Sequence, residues 1–434
     1  MMRTMHYIIL SLAVLCLAFV FAKCDLHNWN AYPNFGNESD DDNSGDDDDD
    51  DSASDDDDDS ANDDDVTSAD WPNKETVVSI GNVKFISAAI GSDGAIFIAF
   101  YDDGPKTLRF IKKQGSSWDT AQDVDTNGET GQYPSIALGS EGRPAIAYQG
   151  NGTTEVRYAY FDGSQWNTEV VATALNTGWY NSLAFVSGTP CIAWQDKDYA
   201  LMYSCRQSQS SMKWTQPQII SKKFGSRKAA DDDSGEIWGS GEGVDGNPGD
   251  DIGSYASLLF TSDLVAHIAY RNSEDKVQSH AYKESDVWVP EVVDQDSSDN
   301  VGGYCSLAAD NANDLHLAYY DQTNKRLMYA KKVNGSSIWT KEAVDKSGNA
   351  GWDTSLKIRQ DQKPCISYKD NLHNYLRFAC REGDDNWVIE APDTTSGVGR
   401  YSNLVINPST GAYHIIYHDG NPTSGKILHV WKTP

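Results

Sequence analysis

Residues 302–345 read GGYCSLAADNANDLHLAYYDQTNKRLMYAKKVNGSSIWTKEAVD, and variants of this unit recur through the chain from Trp71 onward. A typical copy opens with Gly-x-Tyr-x-Ser-Leu, continues through Pro-x-Ile-Ala-Tyr-x-Asp and Leu-x-Tyr-Ala, and closes with Trp-x-x-Glu-x-Val-Asp. The four runs alternate or are rich in β-branched and aromatic residues, and turn residues such as Asp162-Gly163-Ser164 separate them. The unit therefore predicts four short β-strands and no helix.

The spacing of the copies predicts how many there are. Aligned on the serine of the opening motif, they fall at Ser87, Ser135, Ser182, Ser257, Ser306, Ser355 and Asn403. The steps are 48, 47, 75, 49, 49 and 48 residues, so one step alone is long. Repeats of about 40–50 residues with four β-runs are typical of propeller blades. We predict an all-β, seven-bladed β-propeller over residues 71–434.

The two ends of the chain complement each other. The seventh unit stops at Pro434 after three strands, and Trp71 stands 16 residues before Ser87, as Trp166 stands 16 before Ser182. The strand that follows Trp71 should therefore complete the last blade and remove an open sheet edge. The other fourth-strand tryptophans are expected to pack between blades: Trp118, Trp166, Trp214, Trp288, Trp339 and Trp387.

The first residues predict export. Arg3 precedes a 16-residue apolar run, Tyr7 to Ala22, which suits a signal peptide over 1–23 better than a membrane span of about 20 residues. The end of this run, Phe21-Ala22-Lys23-Cys24, resembles a bacterial lipobox, although Lys23 departs from the usual small residue. We favour lipid attachment at Cys24 and display at the cell envelope or cell surface. Ordinary cleavage after Val20-Phe21-Ala22, giving a secreted protein, is the alternative.

Charge is concentrated before the repeats. Residues 38–65 hold 17 Asp, one Glu and no basic residue, within a chain of net charge −30. Such a segment repels itself, so residues 24–70 should form a disordered, extended linker, with calcium binding as the alternative role. The repeat region carries −12 and is also acidic. We therefore expect no nucleic-acid partner, because phosphate binding needs clustered Lys and Arg.

The cysteines predict two disulfides. Cys191 and Cys205 occupy the second and third strands of the third unit, and Cys365 and Cys380 occupy the same places in the sixth. Equivalent pairs on adjacent antiparallel strands favour two bridges within blades and an oxidising compartment. Separations of 14 and 15 residues match no zinc motif. Cys305 is left as a buried thiol.

One face of the predicted propeller gathers aromatic side chains. The second-to-third and fourth-to-first connections of every blade lie on that face, and the Gly-x-Tyr segments belong to the latter. Flat rings beside carboxylates suit sugars, which offer C–H faces and hydroxyl groups. The alternative is that these residues only fix loops. The predicted binding residues are Tyr133, Trp179, Tyr180, Tyr255, Tyr304, Trp352 and Tyr401.

The long step is an insertion, residues 221–253, between blades three and four. Long loops on rigid scaffolds are often functional, so Trp238 joins the predicted binding residues. Asp231 and Asp233 are weak calcium candidates, since their spacing is not that of an EF-hand. We predict no other cofactor.

Two further sets of polar residues share a repeat position. The histidines His267, His316 and His414 fall in the middle of second strands, which favours a structural role. The arginines Arg109, Arg157 and Arg377 fall second in the third strands, which suggests an exposed face.

Residues 71–434 resemble the Asp-box (BNR-repeat) propellers of the sialidase superfamily and, more loosely, propeller lectins. The resemblance rests on degenerate versions of Ser-x-Asp-x-Gly-x-x-Trp, at Tyr160 to Trp166 and at Asn334 to Trp339. It implies the propeller fold. The arginine triad of sialidases has no counterpart that the repeats reveal, so the resemblance does not imply sialidase activity.

Two functions follow from these patterns. The first is a non-catalytic recognition module, displayed as a monomer, that binds an extracellular glycan or protein through the loop-rich face. The alternative is a glycan-cleaving enzyme, either a glycoside hydrolase or a polysaccharide lyase. Its candidate residues are those that break the repeat: Glu236, Asp353 and His373.

Overall fold

The fold is a seven-bladed β-propeller, as the repeats predict. The computed structural model describes residues 71–196, 200–208, 212–221, 252–295, 300–383, 386–421 and 425–434. These residues form seven antiparallel sheets and contain no helix, so none of them belongs to a helix able to cross a membrane. The predicted signal peptide, Cys24 and the acidic linker lie outside the described residues.

Blades 1 to 4 follow in chain order after the first strand, β1. Blade 1 contains β2 (Val83–Ile90), β3 (Ile96–Asp102), β4 (Thr107–Gln114), β5 (Ser117–Trp118) and β6 (Gln122–Asp125). Blade 2 contains β7 (Gln132–Leu138), β8 (Pro144–Gly150), β9 (Glu155–Phe161) and β10 (Trp166–Thr173). Blade 3 contains β11 (Trp179–Val186), β12 (Thr189–Gln195), β13 (Leu201–Cys205) and β14 (Gln218–Ser221). Blade 4 contains β15 (Ile252–Phe260), β16 (Ala266–Asn272), β17 (Val277–Glu284) and β18 (Val287–Asp294).

Blades 5 to 7 complete the ring. Blade 5 contains β19 (Val301–Ala309), β20 (Leu315–Asp321), β21 (Arg326–Lys332) and β22 (Trp339–Asp345). Blade 6 contains β23 (Ala350–Ile358), β24 (Pro364–Asp370), β25 (Tyr375–Gly383) and β26 (Asn386–Asp393). Blade 7 contains β27 (Arg400–Ile406), β28 (Tyr413–His418), β29 (Lys426–Lys432) and, as its outer strand, β1 (Asn73–Ser79).

The predicted closure by the first strand is confirmed. β1 pairs antiparallel with β29, with Asn73 opposite Trp431. Trp71, just before β1, is buried edge-on against Phe378 of blade 6 at 5.2 Å between ring centroids. Its indole Nε1 donates a hydrogen bond of 2.8 Å to Glu390. The first and last strands of the chain therefore share one sheet, and the ring has no open seam there.

The repeated serine links each inner strand to the next. Ser135 Oγ accepts the backbone N–H of Leu183 at 3.0 Å, and the same serine bond recurs at five other junctions between neighbouring inner strands. At the junction that closes the ring, the longer Asn403 side chain replaces serine and accepts from Ala88 N at 3.2 Å. The residue used to align the repeats is thus the residue that spaces the inner strands.

The repeated tryptophan links the outer strands, as predicted. Trp339 Nε1 donates to Glu291 of the preceding blade at 2.9 Å, and four other junctions have the same indole–glutamate bond. At the junction of blades 1 and 2, Trp166 Nε1 has no partner. Trp214 departs from its predicted strand position, because it forms an isolated bridge with Arg206 ahead of β14.

Apolar side chains fill the space between blades. Seven buried clusters each combine the facing strands of two neighbouring blades, for example Ile146, Tyr148 and Leu108 between blades 1 and 2. The core is therefore divided into seven similar wedges around the axis, and each wedge depends on both of its blades.

Both predicted disulfides are present. Cys191 is bonded to Cys205 across β12 and β13, and Cys365 to Cys380 across β24 and β25. Cys305 is buried and unbridged, as predicted. Two bridged pairs are consistent with an extracellular protein.

Candidate functional site

Seven residues, one from each inner strand, form a ring around the propeller axis, and we call them the axial ring. They are Phe85, Tyr133, Tyr180, Tyr255, Tyr304, Asp353 and Tyr401. Adjacent aromatic members touch, with centroid distances of 4.3 Å for Phe85–Tyr133, 5.2 Å for Tyr133–Tyr180, 4.7 Å for Tyr180–Tyr255, 4.7 Å for Tyr255–Tyr304 and 5.6 Å for Phe85–Tyr401. Asp353 fills the place between Tyr304 and Tyr401.

The ring residues lie inside strands rather than in the connecting loops that the sequence suggested, which corrects the prediction. Each sits where the pairing of the inner strand with the second strand shifts register, and each has a left-handed backbone, with φ near 50°. Such a conformation costs a non-glycine residue about 1–2 kcal/mol. The bulge turns the side chain toward the axis.

The repeated glycine two residues earlier has a separate role. A Cβ on Gly131 (φ 107°) would lie 2.6 Å from Cα of Leu108 in the preceding blade. Only glycine allows this approach, so the glycine of Gly-x-Tyr sets blade spacing while the tyrosine faces the axis.

Backbone carbonyls of the axial ring are held by the following blade. Cys305 Sγ donates to the carbonyl of Tyr255 at 2.9 Å, and Ser402 Oγ donates to the carbonyl of Asp353 at 2.7 Å. Asn181 Nδ2 donates to the carbonyl of Tyr133 at 3.1 Å. These bonds offset part of the backbone strain and give the buried thiol of Cys305 a structural function.

A second set of seven residues surrounds the axial ring, and we call it the flanking ring. Each of these residues is the last or the last but one of a second strand and pairs in register with the residue just before an axial-ring residue. They are Tyr101, Gln149, Gln195, Arg271, Tyr320, Lys369 and His418. This ring was not predicted from the sequence. The available signal was that the residue at this repeat position differs from blade to blade.

Charged groups meet where blades 6 and 7 adjoin. Arg400 Nε lies 3.0 Å from Asp353 Oδ2, and the guanidinium lies 5.3 Å from the Tyr401 ring centroid. Burial and, to a smaller extent, nearby Arg400 lower the pKa of Lys369 to about 8. Burial also lowers the pKa of His418, whose ring lies 6.1 Å from that of Tyr401. This cluster combines one carboxylate, two cationic side chains and a neutral imidazole.

Two of the axial tyrosines, Tyr255 and Tyr304, are neutral phenols. Burial raises the pKa of Tyr255 and raises that of Tyr304 well above its ordinary range. The Tyr255 hydroxyl hydrogen-bonds with both Tyr180 and Tyr304. A run of linked hydroxyls therefore follows the ring on the side of blades 3 to 5, where it can donate to and accept from a polar ligand.

The remaining sequence-predicted site residues are distributed unevenly. Trp352 stacks on Tyr304 at 5.2 Å and donates from Nε1 to Asn349 at 3.1 Å, and Trp179 directly precedes Tyr180. Asp353 belongs to the axial ring, whereas His373 lies on a separate loop, with its Nδ1 2.6 Å from Asp370. Trp238, Asp231, Asp233 and Glu236 lie outside the described residues. Across the described residues, no cluster of three His, Cys, Asp or Glu side chains could hold a metal ion.

Carboxylates at the ends of the fourth strands hold the scaffold together. Asp125 accepts the buried Tyr148 hydroxyl of the next blade at 2.7 Å, and three other junctions repeat this bond. The expectation of an exposed arginine face is wrong: Arg157 and Arg377 are largely buried, each against two carboxylates, and Arg109 contacts Asp102 and Asp123.

The repeat-equivalent histidines are structural in their contacts. The Nδ1 of His267 lies 3.1 Å from His280, and His414 lies 3.0 Å from His429. The third-strand histidine of each pair, His280 or His429, contacts a glutamate, Glu291 or Glu75. His316 instead contacts Tyr329 and Asp310.

Two clefts lie away from the axis. One of about 680 Å³ opens between blades 5 and 6 and is lined by polar groups that include His316, Tyr329, Lys363 and Arg381. Another of about 550 Å³ lies between blades 6 and 7, lined by residues that include Lys74, Thr395 and Asp419. Both are alternatives to the axial ring as ligand sites.

Comparison with known proteins supports the architecture. No family model and no curated protein matches the chain. Among solved structures, a PL25 polysaccharide lyase (ulvan lyase) bound to -[GlcA(1-4)Rha3S]- is similar with a TM-score of 0.55 at 12% identity, covering 82% of this chain and 95% of that one. The polysaccharide lyase Uly1 has a TM-score of 0.51 at 11% identity, covering 80% and 88%. The Aleuria aurantia lectin has a TM-score of 0.45 at 11% identity, covering 72% and 96%. At these identities the likeness shows the fold.

Proposed function

We propose that the protein is a non-catalytic carbohydrate-recognition module whose ligand binds over the axial ring. The observation that carries the proposal is the belt of six touching aromatic rings, five of them tyrosines, held around the axis by strained backbone. Aromatic faces stack on sugar C–H surfaces, and linked hydroxyls meet sugar hydroxyls. The ulvan lyase of similar fold is bound to a glycan, so a propeller of this kind accommodates one.

The sequence features outside the described residues fit a displayed module. Residues 1–23 would direct export, Cys24 would carry a lipid, and the acidic segment 24–70 would hold the propeller away from the membrane. The two disulfides suit that compartment. Metabolic labelling with a palmitate analogue should mark the intact chain and leave Cys24→Ser unlabelled; equal labelling of both would remove the lipid anchor from the proposal.

A glycan array tests the binding site. The full chain should bind, and Tyr255→Ala should lose about fivefold in affinity, because one aromatic–sugar contact contributes on the order of 1 kcal/mol. The matched control is Tyr160→Ala, a half-buried tyrosine of β9 away from the axial ring. Thermal unfolding of each variant checks that the fold is kept. Equal binding by the full chain and Tyr255→Ala contradicts the proposed site.

Deletion of the insertion is a second test in the same binding assay. Trp238 is predicted to contribute to the ligand site, so deletion of residues 226–249 should abolish binding while the thermal transition stays nearly unchanged. Undiminished binding by the deletion variant would remove the insertion from the site.

The second candidate function is a polysaccharide lyase. The observation in its favour is the group formed by Lys369, Arg400 and His418, because elimination needs a base and a cation beside the uronate carboxylate. The base would remove the C5 proton, a C4–C5 double bond would form, and the C4–O bond would break with its electrons staying on the glycosidic oxygen, which leaves with the neighbouring sugar and takes up a proton. Steady growth of ultraviolet absorbance from unsaturated ends would replace the recognition proposal with this one.

A further inference from the structure

The flanking ring is divided into a neutral and a cationic side. In blades 2 and 3 its residues are Gln149 and Gln195, which carry no charge. In blades 4 and 6 the register-equivalent residues are Arg271 and Lys369. Blade 7 adds Arg400 one residue before the axial ring. The propeller body is acidic, so this local group of cations runs against the overall charge.

Lys369 replaces a glutamine that has a defined structural task. Gln149 Nε2 donates to the carbonyl of Thr177 at 2.6 Å, and Gln195 Nε2 donates to that of Ile252 at 3.1 Å. Each carbonyl belongs to the residue just before the glycine of the next blade. Lys369 Nζ donates to the equivalent carbonyl, that of Val398, at 3.4 Å. A neutral amide therefore serves this contact in two blades, and the bridge does not explain the positive charge.

The ammonium of Lys369 has neutral oxygens as its hydrogen-bond partners. Besides Val398, it donates to Asn374 Oδ1 at 3.1 Å, and the residue as a whole is only 4% exposed. The nearest carboxylates are already paired: Asp353 with Arg400 at 3.0 Å, and Asp370 with Arg377 at 2.8 Å. A buried cation without its own counter-charge is unfavourable and favours an added anion nearby.

Arg400 supplies the accessible part of the same group. Its side chain is 27% exposed, and it lies over the Tyr401 ring, next to the gap that Asp353 leaves in the aromatic belt. A guanidinium suits planar anions because its N–H groups match their paired oxygens. An anion at this point contacts Arg400 directly and is also attracted by the positive charge of the buried Lys369.

The axial and flanking rings together form what we call the mouth of the propeller. We propose that the mouth, at blades 6 and 7, selects glycans that carry an anionic substituent, a carboxylate or a sulfate ester. The inference rests on the proposed function, because it places the neutral part of the same glycan over the axial ring. Arg400 contacts the anionic group, and Lys369 acts as a positioning residue through its charge.

Paired oligosaccharides test the selection. Titration calorimetry compares oligogalacturonate, hyaluronan and heparosan tetrasaccharides with their carboxyl-reduced forms, and a sulfated galactan oligosaccharide with its desulfated form. We expect the full chain to bind at least one anionic member about tenfold or more tightly than its neutral partner. Equal binding of both members overturns the anionic selection and leaves the carbohydrate site standing. Binding to no probe overturns both proposals.

Lys369→Gln isolates the charge, since blades 2 and 3 show that glutamine makes the same bridge. The variant should fold normally and bind the anionic oligosaccharide about tenfold more weakly. The matched control is Lys283→Gln, which removes one charge from β17 of blade 4, away from the axial ring, where Lys283 pairs with Asp286 at 3.2 Å. An equal loss in both variants, or no loss in Lys369→Gln, contradicts the proposed role of Lys369.

A pH series provides a readout that a purely structural lysine would not move. The groups that face Lys369 are Arg400 of β27, Asp353 of β23 and Asp370 of its own strand. Of the basic and phenolic groups at the mouth, Lys369 loses its proton near pH 8, whereas the pKa values of Tyr255 and Tyr304 are raised and that of His418 is lowered. Affinity should therefore fall between about pH 7 and pH 9 in the full chain and stay flat in Lys369→Gln. A parallel decline in both contradicts the assignment.

Discussion

The junctions between blades and the mouth of the axis use the same repeat in opposite ways. At the junctions, equivalent positions hold the same side chains in the same bonds: serine to backbone N–H, indole to glutamate, and tyrosine hydroxyl to aspartate. In the flanking ring, seven register-equivalent positions hold tyrosine, glutamine, arginine, lysine and histidine. Uniform positions keep the ring together, and the diverse ones are available for recognition.

Among the changes that test this comparison, removal of the closing strand β1 should lower the free energy of unfolding the most. Deletion of residues 71–79 exposes the apolar surface that Trp71 and Val77 cover and opens the edge of β29. We expect a loss of more than about 5 kcal/mol in the free energy of unfolding. Thermal and chemical unfolding measure it. Deletion of residues 25–70 is the control and should change little; a stable propeller without β1 would show that the ring does not need this closure.

Acid should have the next largest effect, through the histidine pairs inside blades 4 and 7. Burial lowers the pKa of His267 to about 3 and that of His414 to about 4, whereas both protonate near 6.5 in the unfolded chain. Below pH 6.5 the unfolded state therefore binds more protons than the folded state. Between pH 6.5 and pH 4 the free energy of unfolding falls by at most about 1.4 kcal/mol for each pH unit and each of the two histidines. Glu75 and Glu291, with pKa values near 2, add a further loss below about pH 4.5.

Denaturant titrations at about pH 7, 5.5 and 4.5 check the acid effect. The double variant His267→Gln/His414→Gln should show a shallower decline than the wild-type chain, while His373→Gln, on an exposed loop, should follow the wild type. If the double variant keeps the full pH dependence, the histidine pairs are not its source.

Substitution of two tryptophans in equivalent places should give a smaller difference in the free energy of unfolding. Trp339→Phe removes a hydrogen bond to the charged Glu291 and should cost about 2–3 kcal/mol. Trp166→Phe removes an indole N–H that has no partner, so it should cost less than about 1 kcal/mol. Chemical denaturation of the two variants gives the difference directly. An equal loss of unfolding free energy in the two variants would mean that the indole–glutamate hydrogen bond does not stabilise the fold beyond the packing of the ring.

The sequence predicts the architecture far better than the mouth, for a physical reason. Blade number, the closure at Trp71 and both disulfides follow from spacing, because each contact repeats at equal intervals along the chain. The bulge that turns Tyr133 into the axis does not appear as a pattern, since a left-handed residue inside a strand looks like any strand residue. Lys369 was missed because a single lysine among two tyrosines, two glutamines, an arginine and a histidine forms no repeating pattern.

The location of a bound oligosaccharide tests the central claim most directly. A crystal structure of the full chain with an anionic oligosaccharide should show a sugar ring against Tyr255, Tyr304 or Tyr401. Its carboxylate or sulfate should lie about 3 Å from the guanidinium of Arg400. A sugar seated instead in the cleft of about 680 Å³ between blades 5 and 6, with the axial ring unoccupied, would contradict the account.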